Sequence, residues 1–324
     1  MIKNIKHIIG ANLQTLKYLS YERKLLLRHL GSFNTKDNKE KFKSYVMIQG
    51  HIIEKGLTFH EVKVGFGEEK VRELVKDLRE YFLKYNDKEF CEMILGILSS
   101  YFEFNMKNNH LNQSIYDIFM ELVDLVGPSP DKSQITGILH VTKDQILERS
   151  KIDFERFINS RYSIRDFSND PIDINIVIHA LRISWKTPSA CNRQPWRAHL
   201  IVDKAKVIQM LDLQTGARQF KGNIACVILI TTSYNCFFGP EYHQPYVNGG
   251  LFAMSLIYAL HSMGLGTIPL NMGIDNFRLR QLKNIIEINE DEVPILLIGV
   301  GALPNELNVA CSNRFNPDNY IKIY

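Results

Sequence analysis

Cysteine is scarce in this chain, with five residues among 324 and no Cys-x-x-Cys pair. An odd number of scattered cysteines is not typical of a disulfide framework, and no zinc-ligand spacing is present. We therefore expect reduced thiols, no metal site and a cytoplasmic location. The five residues are Cys91, Cys191, Cys226, Cys236 and Cys311.

Long apolar runs are also lacking. No stretch reaches the ~18 residues that a transmembrane helix needs, so we expect no membrane span. Residues 1–7 lead into no apolar region of the kind found in secretory signals, and we expect no signal peptide.

Charge of one sign is in small excess, with 39 basic and 35 acidic side chains and a net charge of +4. The excess lies in residues 1–60, which contain eleven Lys and Arg and four Asp and Glu. No aromatic side chains interleave with them as in a nucleic-acid module, so we expect no nucleic-acid partner. The favoured interpretation is a solvated helix face. The alternative is weak contact with a membrane surface or an acidic protein.

Helical periodicity dominates the first part of the chain. Leucines recur at helical spacing over residues 13–30, and apolar side chains do so over 71–82, 90–104 and 115–126. Gly127-Pro128-Ser129-Pro130 ends the pattern, because proline cannot continue a helix. We predict a helical N-terminal domain over 1–130, a linker or arm over 131–150 and a second domain over 151–324.

The second part of the chain changes period. Residues 198–202, 225–231 and 294–301 read as strands, the middle one fully buried. Residues 246–263 are apolar on almost every side, which predicts a buried helix, and Asp275 is placed to cap another. Helices that alternate with few central strands predict a mixed sandwich of helices and sheet, of the α+β class, behind an all-α domain.

Two short motifs in this second part carry the chemistry. Ser160-Arg161-Tyr162-Ser163-Ile164-Arg165 brings two guanidinium groups and a hydroxyl together, a set suited to a phosphate. Thr187-Pro188-Ser189-Ala190-Cys191-Asn192-Arg193-Gln194-Pro195-Trp196 sets small residues and two amides in a loop after a helix. The Asn192 amide can both donate to and accept from a ring edge. Together the motifs suit an anionic, planar ligand.

The pair of motifs resembles the nitroreductase family of FMN-dependent oxidoreductases, whose pattern is R-x-S-x-R followed by P-S-x-x-N-x-Q-P-W. The resemblance covers the chain from about Phe154 to the C-terminus. It implies a short mixed sheet wrapped by helices, in a homodimer that binds FMN at the subunit interface. The helix over 246–263 fits the long helix that crosses such a dimer, although a core helix of a monomer fits equally well. More weakly, the segment from His51 to Gly67 resembles an N-terminal module of some nitroreductase-like proteins of bacterial surface-polysaccharide loci.

The resemblance also implies which residues bind FMN. The phosphate, ribityl chain and pyrimidine edge would contact the first motif, and the loop of the second motif would meet the ring edge. The strand after Gly264 would approach the flavin N5, with Asn271-Met272 where the family often has Gly-Gly or Glu-Gly. The implied set is Arg161, Tyr162, Ser163, Arg165, Pro188, Ser189, Ala190, Asn192, Gln194, Pro269, Leu270, Asn271 and Arg314. Trp196 is expected in the core and Cys191 is interpreted as a bystander.

The predicted function follows from this resemblance. Hydride would pass from NAD(P)H through FMN to a small-molecule acceptor in one pocket, by a ping-pong mechanism. No side chain is assigned as catalytic; Tyr242 and His243 are candidate proton donors. One alternative is a flavin dehydrogenase or oxidase acting on a sugar or peptide intermediate of surface-polysaccharide biosynthesis. The other is a non-catalytic flavin-binding or scaffold protein.

Overall fold

The computed structural model describes residues 16, 19–20, 22–30, 36–127, 137–217 and 221–324. The predictions for Leu13, for most of the break after residue 30 and for Pro128-Ser129-Pro130 lie outside these residues. Among the described residues, no helix combines the length and apolar character that crossing a membrane requires. Nor do those residues bring together three or more His, Cys, Asp or Glu side chains as metal ligands would be.

Four helices form a bundle with a core of its own, and the predicted helical periodicity is confirmed. Asn38 and Asp87 cap two of them, because each side chain accepts a hydrogen bond from the first turn. The core is rich in edge-to-face aromatic contacts, among them Tyr81 against Phe42 and Phe90. The helices are α1 (Lys39–Leu57), α2 (Glu68–Tyr85), α3 (Lys88–Lys107) and α4 (Gln113–Val126).

The helical residues 22–29 pack elsewhere. Leu25 is buried with Tyr234 and Val293, which belong to the second half of the chain. Glu22 accepts a hydrogen bond from the Tyr246 hydroxyl at 3.2 Å. A segment from the predicted N-terminal domain therefore contacts the following one, and the boundaries at 130 and 150 stay predictions.

The residues that follow the bundle form an exposed arm. Two short helices, α5 (Lys143–Arg149) and α6 (Phe154–Asn159), contain no buried side chain. Leu147 and Phe154 are half-exposed, and Phe154 and Phe157 contact the Tyr258 ring.

The second half is built on a four-stranded sheet in the order β1-β2-β4-β3. All three strand pairs are antiparallel, and an isolated bridge between Ser163 and Thr267 adds a parallel pairing. The three predicted strands are confirmed, and the strand expected after Gly264 forms as well. The strands are β1 (Trp196–Ile201), β2 (Cys226–Ser233), β3 (Leu265–Asn271) and β4 (Glu292–Ala302).

Helices pack against the sheet in two groups, each with its own core cluster. Asp275 caps a helix as the sequence indicates, with a side chain that accepts from the Arg278 backbone N–H, and Asp173 caps another by accepting from the Asn175 N–H. One group contains α7 (Ile174–Ser184) and α9 (Gln244–Ser262), and the other contains α8 (Lys204–Leu213) and α10 (Asn276–Ile285). This architecture is the predicted α+β fold, a sheet wrapped by helices.

Helix α9 differs from its prediction in one respect. The sequence predicts burial on every side, but Val247 and Leu251 are about half-exposed in the single chain. The described part of the chain therefore covers these two apolar side chains only in part.

Candidate functional site

The first motif lies against the edge strand β3. Its residues from Arg161 to Arg165 are not helical. Ser163 pairs with Thr267, and the Ile164 N–H donates to the Thr267 carbonyl at 2.9 Å. Ile164 is buried, whereas Arg165 is exposed and donates only a long 3.4 Å bond to the Ser163 carbonyl. The strand edge thus anchors the motif and leaves the Arg165 side chain facing solvent.

The strand β3 continues from this anchor to the other three candidate residues beside it. Pro269 has no backbone N–H to donate at the edge, Leu270 is buried and Asn271 is exposed. The Asn271 side chain accepts from the Gly273 N–H at 3.0 Å, and its carbonyl accepts from Gln214 at 3.2 Å. One strand therefore joins the first motif to Asn271.

A cavity of about 390 Å³ opens at the Asn271 end of β3. Its wall includes the Tyr246 side chain, hydrogen-bonded to Glu22, and the start of β4. This volume lies within the usual range of small-molecule pockets.

The second motif forms a loop with an unusual backbone. Cys191, Asn192 and Gln194 have φ angles of +49°, +54° and +48°. Asparagine tolerates this left-handed region, but cysteine and glutamine rarely adopt it. Three such residues within four positions mark a strained segment, and strain of this kind clusters at functional sites.

Short hydrogen bonds hold the loop in this shape. The Asn248 side chain of α9 accepts from the Ala190 N–H at 2.9 Å, and the Ser189 hydroxyl accepts from the Gln194 N–H at 3.0 Å. The Gln194 amide donates to the Asn192 side chain at 3.2 Å. Four candidate residues of the second motif are therefore together, and Pro188 adjoins them after the end of α7 at Ser184.

Arg193, at the centre of the loop, was not among the predicted site residues. Its side chain is 0% exposed and pairs with Glu241 through two hydrogen bonds of 2.6 and 2.8 Å. The sequence does contain a signal for this residue, because Arg193 lies inside a motif of small and amide-bearing residues. Its partner, 48 residues further along, is not visible there.

The helical bundle reaches this loop from the other side. The Arg197 guanidinium donates to Glu40 of α1 at 2.7 Å. A cleft of about 370 Å³ separates the two parts, bounded by Met47 and Phe90 on the bundle and by Trp185 and Gln194 on the sheet domain.

Other predicted residues have clear positions. Trp196 is fully buried and stacks on Phe252 at 4.9 Å, as expected for a core residue. The Tyr242 and His243 rings contact each other just before α9, with centroids 3.9 Å apart and planes tilted by 44°. Arg314 lies in the exposed C-terminal segment and donates to the Ser312 carbonyl.

The two motifs lie at opposite ends of α9 within one chain. Ala190 bonds to Asn248 near the start of the helix, and the Ser160 hydroxyl contacts the His261 ring at 2.8 Å near its end. Thirteen residues at ~1.5 Å each put these contacts roughly 20 Å apart. Within one chain the two motifs therefore contact α9 at separate positions.

Comparison with known proteins identifies this part of the molecule. Residues 158–302 match the model of the nitroreductase family, and this range contains both motifs and all four strands. The chain therefore contains a nitroreductase-family domain.

Individual relatives are distant. The chain is 24% identical over 164 residues to an Archaeoglobus fulgidus protein provisionally named an NADH dehydrogenase/NAD(P)H nitroreductase, covering 50% of this chain and 93% of that protein. It is 22% identical over 191 residues to an iodotyrosine deiodinase of Haliscomenobacter hydrossis, covering 49% of this chain and 82% of that protein.

Among solved structures, the chain is similar to a nitroreductase family protein of Streptococcus pneumoniae. The identity is 22% and the TM-score 0.45, over 53% of this chain and all of that one. It is also similar to an FMN-dependent nitroreductase of Clostridium difficile, with 15% identity and a TM-score of 0.43 over 50% and 94% of the two chains.

Proposed function

We propose that this protein is an FMN-dependent oxidoreductase that transfers hydride from NAD(P)H to a small-molecule acceptor. The observation that carries the proposal is the strained loop at Cys191, Asn192 and Gln194. It coincides with the P-S-x-x-N-x-Q-P-W motif inside the range that matches the nitroreductase family. The name of the Archaeoglobus fulgidus relative, which includes NAD(P)H nitroreductase, supports the same chemistry.

The donor chemistry of the described residues fits FMN. Arg161 and Arg165 offer charge and planar hydrogen bonding to a phosphate. Their segment lies at the edge of β3, and the Arg165 side chain is exposed to solvent. Pro269 and Asn271 continue along that edge, and Ser189, Ala190, Asn192 and Gln194 form the rigid loop. In the proposed complex the first set and Arg314 hold the phosphate end, and the loop lies against the ring edge.

The roles of the protein in the reaction are binding and orientation. Bound FMN would supply the redox chemistry by accepting and donating hydride. A guanidinium near the pyrimidine edge would stabilise negative charge that develops there. No side chain of this chain is assigned as catalytic, and Tyr242 and His243 remain candidate proton donors. Sequential use of one pocket by NAD(P)H and acceptor predicts ping-pong kinetics.

The proposed active form is a homodimer. The two motifs lie roughly 20 Å apart in one chain, so each flavin would contact the β3 edge of one subunit and the strained loop of its partner. The apolar stripe on α9, with Val247 50% and Leu251 47% exposed, supports an interface there. Two copies would thus complete two sites.

FMN titration of the full-length, cofactor-free protein tests the proposal. We expect flavin absorbance to be retained after gel filtration, and anaerobic NADPH to bleach it. Arg161→Ala and Arg165→Ala should each weaken FMN binding about ten- to a hundredfold, through the loss of charge-assisted bonds. Arg280→Ala, which removes an exposed arginine of α10, is the matched control. A colourless protein, or equal affinities in all three variants, would contradict the assignment.

A further inference from the structure

We propose that Arg193, acting through Glu241, is a positioning residue that fixes the strained loop in the conformation needed for flavin binding. The proposal rests on the proposed function, but its first measurement does not require FMN. Arg193 is assigned no contact with the ligand and acts on the loop.

The Arg193–Glu241 pair has the geometry of a rigid clamp. The guanidinium Nη2 donates to Glu241 Oε1 at 2.6 Å and Nη1 donates to Oε2 at 2.8 Å. Both bonds lie in one planar fork, an arrangement that lysine cannot reproduce. The Glu241 carboxylate also accepts from the Phe238 N–H at 3.0 Å, so its own orientation is fixed.

The same guanidinium joins the loop to the turns that precede α9. Its Nε donates to the Ala190 carbonyl at 2.9 Å, and its Nη1 donates to the Cys236 carbonyl at 2.7 Å. The group also lies 5.1 Å from the Phe237 ring centre. One buried side chain therefore connects the start of the strained segment with the chain over 236–241.

The loop needs such a connection because its backbone is unfavourable by itself. Left-handed φ angles at Cys191 and Gln194 persist only where surrounding contacts determine them. The hydrogen bonds that the Ala190 and Gln194 N–H groups donate to Asn248 and Ser189 fix the ends of the loop, and Arg193 fixes its centre.

Electrostatics agree with this geometry. Burial opposes ionisation of Glu241, but hydrogen bonds from Arg193 and from the Phe238 N–H outweigh it and hold the pKa of Glu241 below its ordinary value. Glu241 is therefore charged at neutral pH, and the clamp is a full ion pair.

A second arginine provides a matched control. Arg197 also donates to a carboxylate, Glu40, at 2.7 Å, but it belongs to β1 and its partner belongs to the helical bundle. Arg197→Lys thus makes the same chemical change four residues away without touching the loop carbonyl of Ala190.

The test uses the loop cysteine as a reporter in full-length protein. In a Cys311→Ser background, the remaining cysteines other than Cys191 are buried. We expect Arg193→Lys and Glu241→Gln to speed the alkylation of Cys191 by iodoacetamide at least about tenfold in FMN-free protein. FMN affinity should fall by at least about tenfold, because a loop that is no longer fixed must be ordered when the ligand binds. Arg197→Lys should leave both quantities within about twofold.

The outcomes separate the two proposals. If the parent protein binds no FMN while Arg193→Lys still frees Cys191, the positioning role stands and the flavin function fails. If FMN binds and neither variant changes the Cys191 rate or the FMN affinity, the positioning role is overturned, even with a lowered melting temperature. Should Arg193→Lys not fold, Glu241→Gln, which preserves the shape of the carboxylate, decides the result.

Discussion

The helical bundle and the nitroreductase-family domain of this chain differ in where their exposed apolar side chains lie. The bundle over residues 36–127 encloses one core in which Tyr81, Phe42 and Leu78 are fully buried. The family domain has equally dense cores, yet it leaves Val247 and Leu251 of a central helix half-exposed. A single exposed apolar side chain, such as Leu83 of the bundle, is ordinary on a protein surface, whereas Val247 and Leu251 lie one turn apart and share a face of α9. The contrast supports a domain whose surface is completed by a second copy.

Backbone strain differs between the same two regions. In the bundle, the non-glycine residues with positive φ are Asn86 and Asn109, a residue type that tolerates this conformation. In the family domain they include Cys191 and Gln194, which do not. Backbone strain at residues that rarely adopt these angles clusters at functional sites. Here the strained residues belong to the second motif.

We expect the largest effect from a change on the exposed surface of α9. Leu251→Glu places a charge on the exposed apolar stripe, and burying an unpaired charge is costly. We expect the dimer dissociation constant to rise by about a hundredfold or more, with a similar loss of FMN affinity. Light scattering across a concentration series measures it.

Leu83→Glu is the control for this change. Leu83 is 60% exposed on α2 of the bundle, which we do not assign to an interface. Equal behaviour of the two variants would show that the exposed face of α9 is not the dimer surface.

A second prediction concerns acid stability, which we expect to depend on the family domain. Glu292 is 2% exposed, and burial raises its pKa. Hydrogen bonds from His199, Thr231 and the Asn289 N–H outweigh that effect and lower the pKa to about 2. Because the folded pKa lies below the unfolded value of 4.5, the carboxylate stabilises the fold above that value. The stabilisation is lost as pH falls towards 2.

The pKa difference corresponds to about 3 kcal/mol at neutral pH. Glu292→Gln should remove a similar amount and flatten the dependence of stability on pH below about 5. Urea unfolding followed by tryptophan fluorescence measures this domain alone, because both tryptophans, Trp185 and Trp196, lie in it. Asp124→Asn, at an exposed site of the bundle, should change nothing. A steep pH dependence retained in Glu292→Gln would assign the effect to other groups.

We expect the smallest effect from a change at the contact between the helical bundle and the family domain. Glu40→Gln removes the charge that pairs with Arg197, and both side chains are about one-third exposed. Such a pair contributes about 0.5–1 kcal/mol, so the fluorescence transition should shift only slightly. Circular dichroism at 222 nm, dominated by the helices, should show a comparable shift. A change of several kcal/mol in either transition would mean that the regions unfold as one unit through this contact.

The sequence predicts strands and helix caps correctly where they depend on a short-range pattern of residues. The runs over 225–231 and 294–301 became central strands, and Asp275 became a cap, because each depends on residues within one or two turns. It was wrong about the full burial of α9, since an apolar pattern does not distinguish a core from an uncovered surface. It also missed Arg193, whose meaning depends on Glu241 in another turn.

The sequence by itself determined the secondary structure, the α+β class and the two motifs that define the family domain. Periodicity and short-range capping encode the first two, and the motifs are contiguous strings of residues. Only the tertiary structure decided that the motifs lie at opposite ends of α9, that Cys191 and Gln194 take left-handed angles, and that Arg193 holds their loop to Glu241. These features depend on contacts between residues 48 to 101 positions apart. Packing of the whole chain selects such contacts, and no local pattern encodes them.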